Sequence, residues 1–254
     1  MLLPNSGPGH ATFSNSKPHS IVSDGFGTFG AGENSRAAPP PAWVDLVHSG
    51  TPISHYYFLE SGIASIVAAS PEGRKAEIGL IGRDGVSPPA LIMEGQGSPF
   101  QVTMQMAGHG RRVEAAALGR FLYEQPAVRP LLSHFLHLFF AQVAHTALSN
   151  AVHKIDVRLA KWILMCQDRL EGQEIAITHE YLATMLGVRR SSVTDALHIL
   201  EGERLIYSSR GLVIVRNRAA LETFAADAYD LLGVSGPCLV EISDRAGRAS
   251  AAAR

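Results

Sequence analysis

Cysteine is almost absent: only Cys166 and Cys238 occur among 254 residues. Two thiols exclude a disulfide framework, a four-thiolate zinc site and a four-cysteine iron–sulfur cluster, and they fit a reducing, cytoplasmic setting. No run approaches the roughly 18 consecutive apolar residues that cross a bilayer, so no membrane span is expected. A basic leader followed by an apolar stretch is also missing, because Met1 to Pro4 runs into Asn5, Ser6 and Gly7; no secretory signal is expected. Charge of one sign is not in excess either. The 22 Lys plus Arg against 23 Asp plus Glu leave a net charge of -1, and bulk electrostatics therefore select no partner. No Ser/His/Asp or paired-carboxylate motif stands out, and glycine-rich pieces such as Gly95 to Gly97 lack a phosphate-loop pattern, so no enzyme is expected.

What is present has a clear order. At roughly 100 to 150 residues per domain the length suits two modest domains. Residues 1 to 46 hold six Gly, six Pro and six Ser, a mixture that buries too little apolar surface to offset chain entropy, and are expected to lack structure. From Tyr56 the pattern becomes strand-like: Tyr56 to Leu59 and Ile63 to Ala69 read as a hairpin meander. Phe100, Val102, Met104 and Met106 alternate with Gln101, Thr103 and Gln105, predicting a strand with one core face and one polar face. With frequent glycines, residues 47–115 read as a small all-β roll or barrel, within a β-roll sensor-like domain of residues 47–125.

Residues 126–150 change period. Val128, Leu132, Phe135, Phe139, Gln142 and Thr146 recur at spacings of four and three, predicting a long helix whose wide stripe must be buried. Two burials are open, against its own domain or in a helix-to-helix seam of a dimer; the small roll favours the seam. No acid lies in this stretch, so His134, His137 and His145 make no complete metal set and a structural role is expected for them. A second helix carries Ile155, Leu159, Trp162, Ile163 and Cys166. Then come a helix capped by Thr178, a turn at Gly187 and Val188, a helix from about Ser191 to Glu201, and two β runs separated by Ser208 to Gly211. Residues 151–225 thus read as a winged helix-turn-helix domain, and residues 233–254 as a loose tail.

The second helix of such a unit enters a groove about 12 Å wide, so its exposed start needs hydrogen-bonding side chains without acidic crowding. Val188 to Thr194 supplies Arg189, Arg190, Ser191, Ser192 and Thr194 and no acid. Val193, Leu197 and Leu200 form the buried stripe, which leaves Arg190, Ser191, Thr194, Asp195 and His198 facing outward. Two arginines at a helix N-terminus oppose the helix dipole, so an anion is expected to dock there. Segment charges agree: Val188 to Thr194 carries +2 and Arg204 to Leu221 carries +4, while residues 1–46 and 47–125 carry -1 each.

The run Ile177 to Val193, extended backward through Val157 to Met165 and forward through Leu205 to Gly211, resembles the helix-turn-helix of the Crp/Fnr family of bacterial transcription regulators. Gly50 to Phe58, Glu60-Ser61-Gly62 and Gly82 to Gly85 resemble that family's cyclic-nucleotide-binding-like roll. The resemblance covers residues 47 to 225. It implies an α+β chain with a roll, a long dimerisation helix and a winged helix-turn-helix. It also implies double-stranded DNA with palindromic sites, a second copy and RNA polymerase as partners. Arg190 falls where the family's base-reading arginine lies, Thr178 and His179 at backbone-contacting positions, and Ser209 with Arg210 at the wing tip beside a phosphate. Ser191 replaces a frequent Glu, and Asp195 a sometimes basic residue. Family members that hold a cyclic phosphate use a Gly-Glu pair and a later Arg. Here Gly85 precedes Val86, and residues 85–110 contain no Lys or Arg, so no cyclic nucleotide and no cofactor is expected. The cysteine cluster of Fnr-type oxygen sensing is missing. The competing reading is a ligand-binding roll whose helical half contacts proteins instead of DNA.

Overall fold

The computed structural model describes residues 26–30, 44–90 and 97–230. In chain order the elements are β1 Phe26–Gly30, β2 Val44–Val47, β3 His55–Leu59, β4 Ile63–Ala69, β5 Lys75–Ile81, β6 Val86–Ser87, β7 Gln101–Met106 and β8 His109–Glu114. Helix α1 Ala115–Glu124, a short 3-10 turn Pro126–Val128, and helices α2 Arg129–Val152 and α3 Ile155–Gln167 follow. The chain continues with β9 Glu174–Ile175, α4 His179–Leu186, α5 Arg190–Gly202, β10 Ile206–Ser209, β11 Leu212–Val215, α6 Arg218–Ala225 and α7 Asp227–Asp230.

The roll consists of two antiparallel four-stranded sheets, ordered β1-β8-β3-β6 and β2-β7-β4-β5. Strands β3 and β4 occupy the expected residues but are not a hairpin: β3 bonds to β6 and β8, and β4 to β5 and β7. The chain changes sheet at Gly62, whose φ of +80° suits glycine. It crosses there against Gly108, where an added Cβ would lie 2.1 Å from the Ser61 carbonyl oxygen. Two further expectations are corrected. Strand β1 and all but the last residue of β2 fall inside residues 1–46, where pairing to β8 and β7 supplies the stabilisation that composition did not suggest. Residues 115–124, expected as part of the β-roll, are helical. The 233–254 tail lies outside the described residues.

The stripe assigned to a dimer seam is also corrected. Leu132, Phe135, Phe139 and Gln142 are buried in their own protomer, and Val128 packs against the roll's core. Close approach explains it. A Cβ on Gly85 would fall 2.1 Å from the Phe135 ring, and one on Gly79 2.7 Å from the Phe139 ring. The Gln142 side chain accepts from the Leu80 amide at 2.6 Å and donates to the Leu80 carbonyl at 3.2 Å. Its amide thus completes the backbone bonding of β5 where, among the described residues, no strand pairs beyond it. The opposite face of α2 remains open: Phe140 is 71% exposed and Val152 62%. By length and composition the Pro126–Val152 helical stretch is apolar enough to cross a membrane, as a helix packed on a core can also be, and here one face lies on the roll.

A second core joins the C-terminal helices to the roll. Helix α3 is buried on all sides from Leu159 to Cys166, and it packs with Ile63, Leu80 and Met106 of the roll. Most of the polar face of β7 is not solvated: Thr103 and Gln105 are buried along with Val102, and only Gln101 stays half-exposed. Gln105 meets Ser65, Thr103 donates to Asp45, and buried Glu77 accepts from the Trp162 indole at 2.9 Å.

Candidate nucleic-acid interface

Thr178 caps α4, its hydroxyl oxygen accepting from the Tyr181 amide. Gly187 closes α4 in the left-handed conformation at φ +63°, which costs glycine nothing. Val188 and Arg189 complete the turn, and α5 starts at Arg190. Val193, Ala196, Leu197 and Leu200 bury one face of α5, the stripe read from the sequence.

The first turn of α5 has no side-chain cap and no acid, so its free N–H groups and the positive end of its dipole face outward. Arg189, Arg190, Ser191, Asp195 and His198 are exposed, and Ser192 and Thr194 are half-buried. Thr194 donates to the Arg190 carbonyl at 3.2 Å and also meets His179 Nδ1 at 3.2 Å. His179 and Thr194 thus brace the two helices against each other, while the arginines and Ser191 stay exposed.

Strands β10 and β11 form a two-residue hairpin in the register Ser209↔Leu212, and β9 extends the sheet on the other edge of β11. Gly211 at φ +78° makes the turn, which leaves Arg210 exposed at the tip with Ser209 half-buried beside it. Two residues with well-defined contacts escaped the sequence reading. The first is Arg216, just past the end of β11, whose guanidinium stacks 5.2 Å above the Tyr207 ring of β10. Arg216 lies within the basic stretch counted from sequence, and its position next to the apolar run ending at Val215 was the available signal. Among the described residues no group of three His, Cys, Asp or Glu could hold a metal.

The second is Asp84. Its carboxylate accepts from the Gly82 amide at 2.7 Å and pairs at 2.7 Å with Arg169, a side chain that also donates to the Met165 carbonyl. The Gly82 to Gly85 turn thereby links the roll to the end of α3. A Cβ at Gly82 would meet the Arg169 stem at 2.9 Å.

A roll, a long helix lying on it and a winged helix-turn-helix make up the fold. Comparison with known proteins bears on it in two ways. Residues 157–224 match the Crp-like helix-turn-helix domain. The fold is shared with FixK2 of Bradyrhizobium japonicum, at TM-score 0.63, 16% identity and coverage of 79% of this chain and 96% of that one. It is shared with a CRP-family transcriptional regulator from Thermus thermophilus, TTHB099, at TM-score 0.59, 20% identity, and 80% and 98% coverage. A CooA mutant of Carboxydothermus hydrogenoformans aligns at TM-score 0.58, 13% identity, and 84% and 93% coverage. No curated protein sequence matches the chain.

Proposed function

We propose that this chain is a homodimeric, sequence-specific DNA-binding transcription regulator of the Crp/Fnr type, working in the cytoplasm with RNA polymerase as a partner. The observation that carries the reading is the uncapped, acid-free start of α5, which presents exposed Arg189, Arg190 and Ser191 beside a wing tipped by Arg210. Arg190 is the base reader, since a guanidinium fork matches the O6 and N7 of guanine. Arg189, Ser191, Ser192 and Arg210 serve phosphates, and Asp195 and His198, further along the outward face, reach the next bases. Thr178 and His179 hold the start of α4 against the backbone.

Arg190→Ala is expected to weaken binding to a selected palindromic site by about 1–3 kcal/mol and to relax the preference at one base position. Arg210→Ala should weaken all duplexes alike and lower the salt slope by about one. Fluorescence anisotropy across a salt series checks both. Salt-independent or undetectable duplex binding by the native chain would instead favour a helical half that contacts proteins.

The dimer seam is the open face of α2. Ser133, His137, Phe140, Ala144, Ala147 and Ala151 are exposed and recur at three and four residues, and the alanines permit close helix approach. Phe140→Glu is expected to convert the dimer to a monomer in sedimentation equilibrium, without a matching loss of fold by circular dichroism. The roll holds no cyclic nucleotide in this reading. Residues 85–90 and 97–110 offer no Lys or Arg to a phosphate, and Phe135 fills the space at Gly85.

A further inference from the structure

Where the roll, α2, α3 and the end of α4 meet lies a half-open pocket of about 30 Å³. Glu77 of β5, Thr146, Ser149 and Asn150 of α2, and Arg158 and Lys161 of α3 line it. Arg158 and Lys161 stand three residues apart, on one face of their helix. Lys161 is only 7% exposed, and its Nζ has no hydrogen-bond partner among the described residues. The Arg158 Nε is buried and unpartnered too, although another guanidinium nitrogen donates to the Leu186 carbonyl.

A buried ammonium without an anion is costly, and removing such a charge from water is repaid only by a well-placed partner. Burial and the neighbouring Arg158 lower the Lys161 pKa to about 8, which still leaves it charged at neutral pH. The one carboxyl on the wall does not serve it. Glu77 is bound to Trp162 and Ser65, and burial raises its pKa to about 8, so at neutral pH it adds little negative charge. The cavity therefore brings together two cationic groups without a counter-charge. The hydroxyls of Thr146 and Ser149 and the amide of Asn150 stand beside them.

We propose that this cavity is a binding site for a small oxyanion of the phosphate, sulfate or carboxylate class, held by charge-assisted hydrogen bonds from Lys161 and Arg158. The volume suits the choice: about 30 Å³ takes about two waters or one such ion. An ion seated there touches the roll, the long helix and the helix-turn-helix together, and it stabilises the arrangement of all three that forms the cavity.

The test uses the full chain without DNA, at pH 7 and constant ionic strength, with chloride replaced stepwise by inorganic phosphate, sulfate or acetate. A saturating rise in thermal midpoint is expected with at least one of them, about 5 °C at a hundredfold excess over Kd. Response to phosphate and sulfate alone assigns a tetrahedral anion, and response to acetate a carboxylate. Lys161→Met is expected to abolish the rise, and Arg158→Gln, which keeps a polar side chain, to weaken binding at least roughly tenfold. The proposal is overturned if no anion shifts the midpoint beyond the chloride control, or if both variants keep the full shift. Because no DNA enters the measurement, its failure and the failure of the DNA-binding reading are separate results.

Discussion

Gly108→Ala is expected to destabilise the chain by about 3 kcal/mol, lowering the thermal midpoint by roughly 6–12 °C. The cause is backbone against backbone. The new Cβ would lie 2.1 Å from the Ser61 carbonyl oxygen and 2.5 Å from its carbon, and no rotamer can relieve that contact. The two segments are also tied where they cross: the Glu60 and Ser61 amides donate to the His109 carbonyl at 3.0 and 3.1 Å, and the His109 amide donates to the Ser61 hydroxyl at 3.1 Å. Parting them to admit a methyl group breaks the corner at which the chain passes from one sheet to the other. Gly119→Ala is the control. It lies in α1 with nothing within 4 Å of its added Cβ, so it should stabilise by about 0.5–1 kcal/mol. Equal midpoints for the two variants in differential scanning calorimetry would contradict this account.

Glu77→Gln is expected to change stability little near pH 5 and to raise it above pH 8. Burial lifts the Glu77 carboxyl from 4.5 to about 8, against the opposing pull of the Ser65 and Trp162 hydrogen bonds and of Arg169. The proton also has a place in the network. Ser65 lies 2.5 Å from Glu77 Oε2 and 2.6 Å from Gln105 Oε1, but its hydroxyl has one proton to give. A protonated Glu77 donates to Ser65, which donates onward to Gln105, and Trp162 donates to the other carboxyl oxygen. Between pH 4.5 and about 8 the unfolded chain releases this proton while the folded chain keeps it. The unfolded state then binds fewer protons, and stability falls as pH rises. The contribution is complete below pH 4.5 and lost as pH passes about 8. Lys161 has the opposite sign: its pKa is lowered from 10.5 to about 8, so the unfolded chain binds more protons across that window and stability rises through it. Together the two groups place a minimum near pH 8, with the acidic limb on the order of 4 kcal/mol deep. Urea unfolding across pH should show that limb in the native chain and lose it in Glu77→Gln; an unchanged slope in the variant would assign the minimum to other groups.

The reading helix was legible because its constraints are local. Thr178 caps, Gly187 turns, and Val193, Leu197 and Leu200 repeat at helical spacing, so residues a few positions apart determined where Arg190 would point. The roll was only half legible. Strand positions for Tyr56 to Leu59 and Ile63 to Ala69 followed from composition, but their separation into two sheets depends on contacts between Ser61 and Gly108, which are far apart in sequence. Alternation in β7 located the strand and misjudged its polar face, because a side chain at Thr103 or Gln105 carries no mark of what will cover it. The same limit misdirected the long helix. Its periodicity showed that the face through Leu132, Phe135 and Phe139 must be buried. Whether the roll or a second chain buries it was decided by Gly79 and Gly85, which leave room for two rings.

Between α2 and α3 stand only His153 and Lys154, both extended, with ψ of 148° and 161°. Two residues reach no more than about 7 Å, so α3 and the helices packed on it cannot move away from the end of α2; they can only swivel about it. If α2 closes the dimer through its Phe140 face, the distance between the two α5 helices is then set by the angle at a joint of two residues. The spacing of the half-sites such a dimer accepts becomes a readout of that angle. Lengthening the joint by one residue should change which spacing is bound before it changes which bases are read.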